Sequence, residues 1–229
     1  MTGVLARILA LFRENGVESM RVIVLYGAEK AFGFFITRST TLIARIRIWL
    51  AGGKIGKGFV VRGWIQMHIS PTGRIRIGEN VRMNSGFGNN AVGGFRRMGI
   101  WVGPEGILTI GNNVGISSST IVCMREIVIG DDVMIGGDCK IYDTDFHSVS
   151  AKMRLSRPDP GVKTSPVTLK RASFIGGHSI LLKGVTVGKE AVIGAGSVVT
   201  KNIPDAEIWG GNPAKCIGRV DIPEKKQNS

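Results

Sequence analysis

Aliphatic residues return every six positions along the last third of the chain, at Ile175, Leu181, Val187, Ile193 and Val199. The fifth place of each six-residue unit is small or β-branched, as Ser179, Val185, Ala191, Ser197 and Ile203, so two places per unit suit a narrow interior. The same frame stands upstream at Ile110, Ile116 and Val122, with Val114 and Thr120, and at Ile129, Ile135 and Ile141, with Val133 and Cys139. It is fainter at Ile55, Val61 and Met67, and at Ile77 and Met83. Between Val122 and Ile129 the step is seven, which predicts one inserted residue at a bulge or corner. An antiparallel sheet would show a two-residue period broken by hairpin turns. A repeating strand and corner predicts instead a parallel coil that buries its interior only by stacking on its neighbours, a β-solenoid.

The solenoid is expected over residues 51–203, interrupted by a Pro-containing loop at 148–166 and followed by a cap and tail at 204–229. Residues 1–50 follow another rule. Val4, Leu5, Ile8, Leu9 and Phe12, then Leu42, Ile43, Ile46 and Trp49, come in helical clusters, which predicts amphipathic helices. Arg7, Arg13, Arg21, Arg38, Arg45 and Arg47 stand among them, giving two expectations: peripheral binding to the cytoplasmic face of a membrane, or a lid over the open first coil.

The hexads, together with Tyr142-Asp143-Thr144-Asp145-Phe146-His147 and Gly210-Gly211-Asn212-Pro213-Ala214-Lys215, resemble the hexapeptide-repeat acyltransferases, and among them the sugar O-acetyltransferase branch. That resemblance implies a mainly β fold, the left-handed parallel β-helix, and a homotrimer with active sites between subunits. It also implies acetyl-CoA as cosubstrate and a saccharide acceptor. Many relatives carry Trp where Phe174 stands. The acceptor reading is a sugar hydroxyl in bacterial surface polysaccharide or lipopolysaccharide biosynthesis, with N-acetylation of an amino sugar nucleotide as the alternative.

Composition narrows the partners. Thirty Lys plus Arg against 17 Asp plus Glu give a formal charge of +13, which suits an anionic partner. No nucleic-acid motif or aromatic platform accompanies the charge, so nucleic acid is not expected. The 3 cysteines, with no C-x-x-C pair, suit a reducing compartment, and neither a signal peptide nor an 18-residue apolar span is read, so a cytoplasmic location is expected.

Acyl transfer from a thioester to an alcohol needs a base, an oxyanion pocket and a track for the donor. His147 is the candidate base, because imidazole titrates near neutrality. Asp145, preferred, or Asp143 would hold its far nitrogen. Cys139 occupies an inward place, which argues against an acyl-enzyme. The resemblance carries the donor track to Gly176, Gly177, Ala195, Gly196, Thr200 and Lys201, with Lys201, Lys215 and Arg219 matching the phosphates of CoA. Candidates for the acceptor are Asn84, Asn113, Arg96 and Arg97, in and near a loop that breaks the frame. A different class shares the solenoid: gamma carbonic anhydrases, which bind zinc through three histidines. His68, His147 and His178 lack the spacing of that group, and no metal is expected.

Overall fold

The computed structural model describes residues 2–86 and 88–221, with side chains described from residue 22 onward. The apolar cluster between Val4 and Phe12, the cations Arg7, Arg13 and Arg21, and Phe87 therefore lie outside the described side chains.

One continuous helix, Thr2–Leu50, takes the place of the several helices expected. It ends where Gly52 turns to φ +71° and Gly53 packs under Ile48, the amides of Gly52 and Gly53 bonding the carbonyls of Trp49 and Ile48 at 2.9 and 2.8 Å. Its last turns bury Thr40, Ala44 and Ile48, spaced by four along one face, against the first coil. There the Thr40 hydroxyl donates to the Val61 carbonyl at 2.7 Å, and the Val61 amide donates to the Thr41 hydroxyl at 2.9 Å. At Val61 the open edge of the strand Val60–Arg62 is thus satisfied by helix side chains. Further up the helix Val22, Val24, Leu25, Phe32, Phe34 and Phe35 are exposed and surround the axis instead of keeping to one stripe. Among the described residues no helix is long and apolar enough to cross a membrane.

After the helix the chain winds through three parallel faces in fixed order. The first face holds Lys54–Ile55, Arg74–Ile77, Ile107–Ile110, Glu126–Ile129, Val167–Leu169 and Thr186–Val187. The second holds Val60–Arg62, Arg82–Asn84, Gly115–Ser117, Met134–Ile135, Phe174–Ile175 and Val192–Ile193. It is closed by Glu207–Gly210 and its antiparallel partner Lys215–Arg219. The third holds Gln66–Ile69, Gly99–Val102, Thr120–Cys123, Lys140–Tyr142, Ile180–Leu181 and Val198–Val199.

Register stacks like on like. On the first face Ile55, Ile77, Ile110, Ile129, Leu169 and Val187 form one inward column. On the second the column is Val61, Met83, Ile116, Ile135, Ile175 and Ile193, finished by Trp209. The third column differs from the sequence frame at one level. Ile121, not Val122, is the fully buried residue aligned with Ile100 and Ile141, and Ser119, not Thr120, fills the small inward place below it. The reason is a four-residue strand, Thr120–Cys123, whose alternation puts both Ile121 and Cys123 inside. The Ser119 hydroxyl rewards that shift, donating to the Gly136 carbonyl at 2.8 Å and accepting from the Cys139 amide at 3.0 Å.

Corners use residues at positive φ. Asn80, Asn113 and Asp132 stack between the first and second faces at φ 56°, 56° and 60°. Their side chains form a ladder, Asn80 to Asn113 at 3.2 Å and Asn113 to Asp132 at 3.0 Å. Asn and Asp tolerate this conformation because their short polar groups bond locally. Two long excursions leave the coils. One, between Asn84 and Gly99, departs at the corner from second to third face; the other, between Tyr142 and Val167, departs at the corner from third to first. The outer surface of the third face lies between them.

Candidate active site

His147 stands on the second excursion, with its side chain 72% exposed. The excursion is anchored at its root by Asp143, which is fully buried. The Asp143 carboxylate accepts the backbone amides of Met124, Arg125 and Glu126 at 2.8, 2.7 and 2.8 Å, all from the preceding coil. Both of its oxygens are committed to that corner. Asp145 is engaged as well, in an ion pair with Lys183 at 3.0 Å, while its carbonyl accepts the His147 amide at 2.7 Å. Phe146, at φ 62°, turns its ring edge-on to Tyr142, the centroids 5.1 Å apart.

The carboxylate that faces the His147 ring comes from farther along the excursion. Asp159 Oδ2 lies 3.8 Å from His147 Nδ1. Asp159 accepts the Ser148 hydroxyl, the Ser148 amide at 2.8 Å and the Gly161 amide at 3.2 Å. The Ser148 bonds hold its carboxyl below its ordinary range, so it is an anion at neutral pH. Asp143 and Asp145, the partners expected from proximity in sequence, therefore have other bonds, and Asp159 occupies the place assigned to them. Only the path of the loop brings residue 159 back to residue 147, and its one sequence signal is the turn composition of Pro158-Asp159-Pro160-Gly161.

The donor candidates divide between corners. Gly176, Gly177, Ala195 and Gly196 stack at the corner from second to third face, where the Gly196 amide bonds the Gly177 carbonyl at 2.8 Å. Close packing requires some of these glycines: a Cβ on Gly176 would meet the Ala195 amide at 2.5 Å. Thr200 and Lys201 follow Val198–Val199 and sit at the other edge of the third face, on the same corner as the root of the His147 excursion. Lys215 and Arg219 lie on the terminal hairpin of the second face, opposite Gly210 and Glu207. One chain thus carries His147 and the glycine corner on opposite edges of the third face.

The acceptor candidates separate in the same way. Asn84 and Asn113 line a 490 Å³ cavity on the second face with Arg82, Gly115, Met134 and Phe174. The Asn113 amide is already spent in the corner ladder. Arg96 and Arg97 instead border a 630 Å³ groove on the third face. Sequence reasoning missed a charge cluster nearby. Asp138 holds Lys140 at 2.9 Å, His178 Nδ1 at 3.5 Å and Arg96 at 3.9 Å.

Two of the three thiols, Cys123 and Cys139, face inward. Cys139 is buried and donates toward the Gly176 carbonyl at 3.2 Å, and burial raises its pKa. Burial and the neighbouring Asp143 charge push Cys123 up to about 12. Neither is a thiolate nucleophile at neutral pH. His68 stacks on Trp101 at 4.2 Å, away from both His147 and His178, and among the described residues no group of three His, Cys, Asp or Glu is placed to hold a metal ion.

Residues 170–201 match the family model for the hexapeptide repeat of succinyl-transferase. Those residues supply the late coils of the three-faced solenoid, including Ile175, Leu181, Val187, Ile193 and Val199, one inward residue from each successive strand. The chain thus carries a hexapeptide repeat and is similar to acyltransferases built on it. Its solenoid is the left-handed parallel β-helix expected from the sequence. Among relatives of this hexapeptide-repeat protein, the galactoside O-acetyltransferase of Escherichia coli K12 is 32% identical over 132 residues, 55% of this chain and 63% of that one. The chain therefore spans less than two thirds of the length of this curated relative. A hexapeptide-repeat acetyltransferase from Vibrio cholerae superposes with a TM-score of 0.54 at 21% identity, covering 88% of this chain and 94% of that one. AntD, an N-acyltransferase from Bacillus cereus in complex with dTDP and 3-hydroxybutyryl-CoA, superposes at 0.59 and 22% identity, covering 77% and 88%.

Proposed function

We propose that the protein is an acetyl-CoA-dependent O-acetyltransferase that acylates a sugar hydroxyl in bacterial surface polysaccharide or lipopolysaccharide biosynthesis, by direct transfer. The observation that carries this reading is an exposed His147 with Asp159 on its Nδ1 side, at the edge of a hexapeptide-repeat solenoid. Asp159 favours the tautomer with its proton on Nδ1, which leaves Nε2 to take the acceptor proton as oxygen attacks the thioester carbonyl. The 3.8 Å separation is loose for a hydrogen bond, as catalytic contacts often are before substrate arrives. The imidazolium then returns the proton to the departing CoA thiolate.

The donor side of the proposal uses Gly176, Gly177, Ala195 and Gly196, with Thr200, Lys201, Lys215 and Arg219 toward the phosphates. These groups and His147 stand on opposite edges of one chain, so a homotrimer in which His147 of one subunit meets the glycine corner of the next completes three equal sites. The CoA thioester bound to AntD and the acetyl group in the name of the galactoside enzyme support the donor class. The cytoplasm, where acetyl-CoA is made, is the proposed location. Free thiol released from acetyl-CoA across a panel of glycans and amino-sugar nucleotides tests the reading. Ester formation on a sugar hydroxyl is expected; amide formation on an amino sugar would replace O- by N-transfer, and no thiol release with any acceptor would overturn both.

A further inference from the structure

Resting on that acyltransfer reading and deepening it, we infer that the outer surface of the third face is the acceptor track, built for a saccharide that carries a negative charge. Register carries the argument first. His68, Trp101, Val122 and Tyr142 are consecutive partners in the outward column nearest the His147 corner. Three coil spacings separate the first from the last, about 14 Å. His68 stacks on Trp101, and Tyr142 meets Phe146, the residue before His147. The column therefore carries two ring pairs joined by Val122 and runs to the root of the excursion that holds the proposed base.

Charge identifies what lies on that line. The 630 Å³ groove over Trp101 is bordered by Arg96 and Arg97 from the first excursion and by Arg47 from the helix, and no Asp or Glu is among its lining residues. A 740 Å³ depression continues it past Arg47 and His68 to the end of the helix. Trp101 is half exposed, offering a ring face to a sugar ring, while Gln66 and Thr120 on the adjacent column offer polar groups to hydroxyls. The guanidinium groups of Arg47 and Arg97 supply charge-assisted bonds to phosphate or carboxylate, while Arg96 is paired with Asp138 at 3.9 Å.

Gly99 is the most telling residue. It is aligned between Gln66 and Thr120 on the outward column, yet its φ is not in the left-handed region, and an added Cβ would touch nothing closer than Thr120 Cγ2 at 3.7 Å. Neither backbone nor packing requires a glycine there. Its effect is to leave a notch in the floor of the groove beside Trp101.

The test is binding of small probes to the full-length protein without acetyl-CoA. Glucose 1-phosphate, glucuronic acid, methyl glucoside and inorganic phosphate are titrated by calorimetry against the parent and Gly99→Val, Trp101→Leu and Arg97→Gln variants. Both anionic sugars should bind at least tenfold tighter than methyl glucoside, and glucose 1-phosphate tighter than inorganic phosphate. The two anionic arms tell phosphate from carboxylate. Gly99→Val and Trp101→Leu should weaken both anionic sugars tenfold or more, while Arg97→Gln narrows the gap to methyl glucoside. Because the probes are titrated without an acyl donor, binding is read whatever reaction the protein catalyses, so an error about the base does not imitate an error about the track. Affinity unchanged in Gly99→Val, equal affinity for phosphate and glucose 1-phosphate, or no saturable binding of any probe would each overturn the inference.

Discussion

Replacing Asp143 by Asn removes charge and one acceptor oxygen while keeping the shape of a fully buried side chain. In the parent, Oδ2 accepts two amides, from Arg125 and Glu126, and Oδ1 accepts one, from Met124. The asparagine oxygen in the Oδ2 position keeps two of the three, and its NH₂ then points at the Met124 amide, donor against donor. Leaving a buried donor unsatisfied costs about 1–3 kcal/mol, and the surviving bonds lose their charge assistance. A loss of about 2–3 kcal/mol follows for Asn, and about 3–5 kcal/mol for Ala, which strands all three amides. At this chain length each kcal/mol moves Tm by about 2–4 °C, so Asp143→Asn should melt about 4–12 °C lower. Scanning calorimetry at fixed protein concentration, with acetyl transfer measured well below the transition, separates anchoring from chemistry. An unchanged Tm with turnover abolished would show that this carboxylate acts at the reacting atoms and that the anchoring argument is wrong.

Three further outcomes follow from the described geometry. Of the 3 cysteines, only exposed Cys216 should react with a thiol reagent in the native protein at pH 8, and all three in denaturant; fast native reaction of Cys139 would reopen covalent catalysis. Asp159 has its carboxyl pKa lowered on folding, so its hold on the loop is complete above the ordinary carboxylate range and is lost as pH falls through the lower folded value. Amide exchange near Ser148 and Gly161, corrected for intrinsic rate, should therefore stay flat between about pH 5 and 8 and rise in Asp159→Asn; a step near neutral pH would assign the hold to His147 instead. If the exposed apolar part of the helix binds membrane, full-length protein should co-sediment with anionic liposomes and Phe32→Glu/Phe35→Glu protein should not; recovery of both in the supernatant would remove the membrane from the account.

The solenoid was legible because its columns are one-dimensional: a residue stacks on the one a coil away, so a period in sequence becomes a column in space. The frame failed only at Val122 and Thr120, where a longer strand let alternation within the strand override the six-residue step. The helix ending at Leu50 was legible as helix, but whether it capped the coil was not, since Thr40, Ala44 and Ile48 are chosen by the edge they meet. The site was harder. His147 came from a motif, but its facing carboxylate comes from a loop whose return path no periodicity encodes. Asp143 looked catalytic because a motif records which residues are present and not whether a carboxylate points to solvent or to three buried amides.

The central claim is that His147 is the general base of an acetyl-CoA-dependent transfer, and the most direct measurement is CoA release by His147→Ala on an acceptor verified for the parent protein. The account predicts turnover lower by about 10²–10⁴, the range for a positioned acid-base group, with affinity for CoA nearly unchanged. Near-normal turnover by His147→Ala would contradict it.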